Sequence, residues 1–400
     1  MNTLTKLLAV ASLAVFAAGT AADARELRLA SGAPPVHPAM DPLYNSFMEF
    51  LPEETNGELT GLMIGPEVVG IAAVKQALQS SLAEVGNVLP LFAVGDLPNT
   101  VLTADLAFLA TTPHAMGAAV TEYVVTCEEC QAEFKAMGGV FVGAGSSDIY
   151  VLLTTKPVNS LADLQGLRLR SGGTPYARWA EALGAAPAQV PVSDTFESMS
   201  QGVLDGTMAS VSDLISYRLV DVAKYIIDVP LGTYHTTSNF TVASSVWAEL
   251  TPELRAGFAR AANRSSTLFT QSWGYDRAAN ARQTAIDAGI EIIPASQDLL
   301  DATNEFRFTD IDNAVAVAES QLGVTNAAEK IARFQELVEK WTAITNAANG
   351  DVDAIAAAVQ EEHHRPQPLR VRLIAGGQVQ KILALLVQRR TPVGLAQQLG

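Results

Sequence analysis

The chain predicts an α/β fold of two lobes, with mostly parallel sheets, a ligand cleft between the lobes and a long C-terminal amphipathic helix. Three observations carry this. Segments of strand period and helix period alternate from the first residues of the mature chain. Strand-like segments twice leave one unit for another, near residues 143–154 and again near 239–243. Residues 327–344 carry Ile331, Phe334, Leu337, Val338, Trp341 and Ile344 at helical spacing. A chain of 400 residues is long enough for two cores.

Taken in order, Lys6, the apolar run 7–18 and Ala22-Asp23-Ala24 have the form of an export signal with a small-x-small cleavage site. The run is shorter than the roughly 20 residues that span a bilayer. The expectation is cleavage before Arg25 and a soluble periplasmic protein. Residues 26–31 alternate as a first strand, followed by a Pro-rich loop, 32–38, that carries His37. A helix over 42–51, a strand over 59–64, a helix over 68–80 and a strand over 84–89 come next. The segment 143–154 crosses into a second unit, the chain returns at 239–243, a helix runs over 254–287, and 289–294 is another strand. These crossings predict one lobe from 25–147 with 237–275 and a second from 148–236 with 276–350. The helix over 327–344 is expected to close the second lobe's core. Residues 351–400 are an extension. From position 363 its charges are Arg365, Arg370, Arg372, Lys381, Arg389 and Arg390, with no acid. The abrupt change from an acidic body reads as an appendage, possible through a shifted reading frame. A basic membrane-surface helix over 379–390 is the rival.

The most informative segment is 161–210. Leu167 and Leu169 alternate with Arg168 and Arg170 along a short strand, and Ser171-Gly172-Gly173 then turns the chain. Thr174 suits the cap of a new helix and Pro175 its first position, where no amide donor is needed. Ligands of open α/β sheets sit beyond the carboxyl ends of strands, which places Arg170 at a binding crevice. A planar guanidinium there can grip a carboxylate through two parallel hydrogen bonds. Arg168 lies deeper in the strand and reads as a surface or interlobe charge. Tyr150, with a ring to stack and a hydroxyl to bond, is a further candidate, as are Tyr176, Met208, Asp213, His37 and His235. Asp213 would favour an amine-bearing or hydroxylated ligand, unless it merely caps a helix.

Forty-two acids against twenty-six bases give a net charge of −16, which argues against nucleic acid, since a polyanion needs a basic patch. Cys127 and Cys130 are spaced C-x-x-C. In an oxidising compartment they predict a small structural disulfide. A redox pair would want electropositive surroundings, and Glu128 and Glu129 oppose that; zinc would need two further ligands. H-E-x-x-H, G-x-S-x-G and the phosphate-binding G-x-x-x-x-G-K-[ST] do not occur. No catalytic residue, cofactor or metal is expected.

Asp163-Leu164-Gln165-Gly166-Leu167-Arg168-Leu169-Arg170, Leu183-Gly184-Ala185-Ala186-Pro187, Val190-Pro191 and Gly202-Val203-Leu204-Asp205-Gly206 together resemble the substrate-binding proteins of tripartite ATP-independent periplasmic (TRAP) transporters. His37-Pro38, Val222-Ala223-Lys224-Tyr225, and His235 with Trp247 and Leu250 extend the likeness over about residues 25–350. The resemblance implies a class II-like periplasmic binding-protein clamp without enzymatic activity. Its arginine, Arg170 here, would bind a small organic acid for delivery to membrane permease subunits. Two departures bear on the ligand. Ala209 stands where many members carry a supporting asparagine, and Tyr150 where several carry a second arginine, which shifts the expectation from a doubly charged ligand to an aromatic or small monocarboxylate. An exported enzyme acting on a carboxylate and a sensory ligand-binding module are the alternatives.

Overall fold

The computed structural model describes residues 24–110 and 112–363. The export signal up to Asp23 and the basic tail from His364 lie outside the described residues. Strand β1 (Arg25–Ala30) buries Leu27 and Leu29 and pairs in parallel with β2 (Leu59–Ile64), Arg25 opposite Leu59 and Ala30 opposite Ile64. Helix α1 (Leu43–Glu54) makes the crossover and continues through Pro52. The next unit adds α2 (Val74–Gln79), shorter than 68–80, and β3 (Val85–Val88), parallel to β1. Short α3 (Pro98–Val101) leads to α4 (Pro113–Thr126), whose first turn is capped by the Thr112 hydroxyl accepting from the Ala115 amide. Helix α5 (Glu128–Met137) and β4 (Gly139–Val142) follow. Cys127 and Cys130 are joined by a disulfide at the start of α5, and Cys127 Sγ accepts from the Cys130 amide.

The second sheet begins with β5 (Val151–Thr154) and β6 (Arg168–Ser171), then α6 (Thr174–Ala182), β7 (Ala186–Gln189), α7 (Thr195–Ser200), β8 (Gly206–Ala209), α8 (Asp213–Ser216) and β9 (Tyr225–Asp228). Gly206 opens β8 because the strand passes so close to β5 that a Cβ there would stand 2.6 Å from the Leu153 carbonyl oxygen. The chain then returns: β10 (Ser238–Ala243) enters the first sheet between β3 and β4, giving the order β2-β1-β3-β10-β4. Helices α9 (Ser244–Glu249) and α10 (Pro252–Gln271) follow, then a π-helical stretch over Ser272–Asp276, α11 (Arg277–Asp287) and β11 (Glu291–Pro294). Strand β11 is the edge of the second sheet, ordered β11-β9-β5-β8-β6-β7. Both sheets are mixed. Strands joined through helices pair in parallel, whereas β10 runs antiparallel to β3 and β4, and β5 antiparallel to β8 and β9.

The two connections between the sheets lie side by side. The Tyr150 amide donates to the Gly232 carbonyl at 2.7 Å, the Leu231 amide to the Tyr150 carbonyl at 3.0 Å, and the Ser147 amide to the Tyr234 carbonyl at 2.9 Å. The lobe boundary expected between 275 and 276 falls in the helical run from α10 to α11, at the end of its π-helical stretch, where the period of the sequence shows only one continuous helix. Three long helices end the described chain: α12 (Gln297–Ser320), α13 (Ala327–Ala348) and α14 (Val352–His363). The stripe of α13 corrects one expectation. Ile331, Phe334, Leu337, Val338, Trp341 and Ile344 share a core with Met116, Val120 and Tyr123 of α4, so α13 completes the first lobe's side and not the second lobe. Among the described residues, no helix is long and apolar enough to cross a membrane.

Candidate functional site

Strand β6 puts two arginines on one face, and their surroundings differ. Arg168 donates from Nε and Nη2 to the two carboxylate oxygens of Asp205, at 2.9 and 3.0 Å, and Lys156 Nζ meets Asp205 Oδ1 at 2.8 Å. The Arg168 bonds, foremost, hold the Asp205 carboxyl well below the usual carboxylate range. Arg168 is thus a surface charge, as one of the two expectations had it, and not an interlobe contact: it ties β6 to the loop before β8 within one sheet. Arg170, two residues further along the strand, is only 5 % exposed. Its Nε donates to the Val190 carbonyl at 3.1 Å, and its guanidinium forms no ion pair with a carboxylate of the described residues. Gly172 leaves the room it needs, since a Cβ there would sit 3.2 Å from Arg170 Nη1. The helix beyond starts one residue earlier than expected. Gly173 is the cap residue, at φ 154°, no side chain caps the helix, and Thr174 is already helical.

Arg170 stands between two cavities. The inner one, about 50 Å³, brings together four expected residues, His37, Tyr150, Arg170 and Asp213. They come from the loop after β1, the first crossing, the end of β6 and the start of α8, so both lobes contribute. His37 Nδ1 accepts from the Ala39 amide at 3.0 Å. Burial, with the Arg277 charge, lowers its pKa to about 3. The ring is therefore neutral with its proton on Nε2. Its ring packs against Tyr217, tilted, and against Trp273 in an edge arrangement, with centroids 5.4 and 5.5 Å away. Tyr150 is stacked between Tyr176 at 5.1 Å and Tyr234 at 6.3 Å, and burial pushes its hydroxyl pKa well up. Burial also raises Asp213 to about 7, against the lowering effect of Arg170. Asn87 Oδ1, Asp213 Oδ1, the Tyr217 and Tyr234 hydroxyls and Trp273 Nε1 are all buried with no hydrogen-bond partner in the protein. That is a concentration of unsatisfied polar atoms around one apolar space.

The outer cavity, about 210 Å³, is lined by Arg170, the first residues of α6, Tyr176 and His235. His235 has both nitrogens engaged: Nε2 lies 2.9 Å from the Thr103 carbonyl and Nδ1 3.0 Å from the Thr233 hydroxyl. Burial lowers its pKa to about 4, and it braces the loop around Thr103. Met208 lines neither cavity. It is fully buried in β8, opposite Leu152 of β5, because the hydrophobic face of a strand between two partners is turned into the core. Asn87, Tyr217, Tyr234 and Trp273 escaped the sequence reading. Tyr234 alone carried a usable signal, as an aromatic residue beside the second crossing.

The model of the family described as "DctP: Bacterial extracellular solute-binding protein, family 7" matches residues 29–313. A solute-binding protein of Roseobacter denitrificans is 31 % identical over 105 residues, 26 % of this chain and 31 % of that protein. The chain thus aligns with less than a third of the length of that curated relative. Among solved structures, a TRAP periplasmic solute-binding protein of Bordetella bronchiseptica with bound (R)- and (S)-mandelate superposes with a TM-score of 0.68 at 23 % identity, covering 79 % of this chain and 99 % of that one. A TRAP solute-binding protein of Rhodoferax ferrireducens, in complex with copurified benzoate, gives 0.72 at 17 % identity over 80 % and 99 %.

Proposed function

The chain belongs to the bacterial extracellular solute-binding proteins of family 7, and from that premise we propose that it captures a small aromatic monocarboxylate in the periplasm and delivers it, unchanged, to the membrane subunits of a TRAP transporter. The observation that carries this is Arg170, a buried guanidinium without a carboxylate partner, facing a cavity walled by aromatic rings. A buried cation lacking a counter-ion is costly, and a ligand carboxylate supplies one through a two-bond fork. The inner cavity is small and suits one ring. Tyr150, Tyr217, Tyr234 and Trp273 line it with aromatic carbon, and the neutral His37 Nε2–H offers a second donor. Mandelate and benzoate, the acids in the two solved relatives, are of this class.

The lobes that close on the ligand are 25–147 with 237–275 and 148–236 with 276–320, α13 and α14 packing on the first, and the paired connections at Tyr150 and Gly232 are the hinge. Binding goes without catalysis. His37, the histidine of that cavity, has one nitrogen committed to Ala39 and a pKa far below neutral. The test is a thermal-shift screen of organic acids, followed by mass spectrometry of the recovered ligand. A binder at about 100 times its dissociation constant should add about 2.7 kcal/mol, a melting shift of a few degrees for a chain of this size. No shift with any aryl carboxylate would overturn the assignment, and recovery of a converted product would make the protein an enzyme.

A further inference from the structure

Arg170 accounts for a carboxylate, but it leaves an acid in the same cavity unexplained. Asp213 is 2 % exposed, and its Oδ1 has no hydrogen-bond partner in the protein. Helix α8 does not use it as a cap: the cap residue is Ser212, and no side chain caps that end. The neighbouring Asp148 also has an unpartnered Oδ1, but it does not line this cavity, and its Oδ2 accepts from the Val211 amide at 3.2 Å. Across the cavity, on β3 of the other sheet, the buried Asn87 Oδ1 is likewise unpartnered. The remaining unsatisfied groups place no such demand. Tyrosine hydroxyls donate as well as accept, and Trp273 Nε1 can only donate. Two oxygens, one from each lobe, therefore ask for a donor that the protein does not provide.

We propose that the ligand carries, besides its carboxylate, a hydrogen-bond donor received by Asp213 Oδ1 and Asn87 Oδ1, so that the site selects hydroxyl- or ammonium-bearing aryl acids over the bare ring. This rests on the assignment of the cavity as an aryl-carboxylate site. Arg170 and Trp273 Nε1 hold the acid end, and Asp213 and Asn87 read the substituent. A bare ring leaves Asp213 Oδ1 desolvated and unpaired, the situation in which a missing partner is expensive. Burial raises the Asp213 pKa to about 7, so the carboxyl can meet a hydroxyl in its neutral form or an ammonium in its ionised form.

The experiment is calorimetry at neutral pH with benzoate, ortho-, meta- and para-hydroxybenzoate and meta-(aminomethyl)benzoate, on the wild-type protein, Asp213→Ala and Asp213→Asn. At least one donor-bearing acid should bind the wild type roughly 10- to 100-fold more tightly than benzoate. That ratio should fall to near one in Asp213→Ala. In Asp213→Asn, which retains an acceptor oxygen, a hydroxyl preference should survive and an ammonium preference should not, which tells the two donors apart. Equal affinities for benzoate and every substituted acid in the wild type would overturn the inference and leave the carboxylate site standing. So would a ratio unchanged in a folded Asp213→Ala. If no aryl acid binds the wild type at all, the carboxylate assignment itself fails. Should Asp213→Ala not fold, the wild-type ratio and Asp213→Asn still decide.

Discussion

Arg168 and Arg170 project from one strand face two residues apart, and their burial and their partners distinguish them. Arg168 is saturated by Asp205, whereas Arg170 has a single carbonyl acceptor. Arg170→Ala should therefore weaken ligand binding by roughly 30-fold to several thousand-fold, the effect of about 2 to 5 kcal/mol for an unpaired buried charge. Arg170→Lys should restore only part of it, since a point charge lacks the fork. Near-normal affinity of Arg170→Ala by calorimetry would contradict this. Asp148 gives a second test. Burial pushes its carboxyl up to about 7 from an ordinary 3.8, against hydrogen bonds from Ser210 and Val211. The folded pKa is the higher one, so stability is full below pH 4 and is lost as pH rises towards 7. Asp148→Asn, which cannot ionise, should match the wild type near pH 4 and exceed it by roughly 2 to 4 kcal/mol at pH 8. Denaturation curves at the two pH values that show a constant gap would refute this. Arg170 was legible in the sequence because alternation and a Gly-Gly turn fix where a strand ends. Asn87, Tyr217 and Trp273 were not, because each reaches the cavity from a segment whose own pattern is ordinary.

At the scale of elements, helix α6 is fastened to two distant segments through Arg178. Its Nη1 meets Asp105 Oδ1 at 2.8 Å, and its Nε and Nη2 meet Asp310 of α12 at 2.8 and 2.7 Å. All three side chains are largely buried. Arg178→Met would strand two carboxylates and should cost about 3 to 5 kcal/mol in a urea titration. Adding Asp105→Asn and Asp310→Asn should recover most of the loss; if it does not, the cost lies in packing. The disulfide at the start of α5 works at the other extreme of length. It closes a very short loop, and serine also caps helices well, so Cys127→Ser with Cys130→Ser should cost less than about 2 kcal/mol. The strands and the amphipathic stripe of α13 could be read from period alone. What α13 packs against could not, because a stripe reports that a face is buried and carries no address. Arg178, one polar residue on a helix flank, gave no hint of its two acids for the same reason.

For the whole molecule, α14 is the last of the described elements. Ile355, Ala358 and Val359 are buried, and Glu362 pairs with Lys340 of α13 at 3.1 Å. Truncation after His363 should leave melting temperature and ligand affinity unchanged, as an appendage would. Truncation after Gly350 uncovers those side chains and should lower stability by about 2 kcal/mol or more. A fall in melting temperature on the first truncation would give the basic tail a structural role. The alternation that announced two α/β lobes was plain in the sequence, and so were two of the crossings, because each coincides with a Gly-, Ser- and Thr-rich break between apolar runs. The third lobe boundary, drawn between 275 and 276, lies inside a helical run whose period does not mark it. The return strand β10 has a further consequence. It lies between β3 and β4, yet it is made about 100 residues after β4. A chain emerging from its N-terminus must hold a sheet open at its middle until Ala243 has appeared, so the first-made half cannot settle into its final form alone, and completion waits on long-range pairing of the kind that makes folding slow.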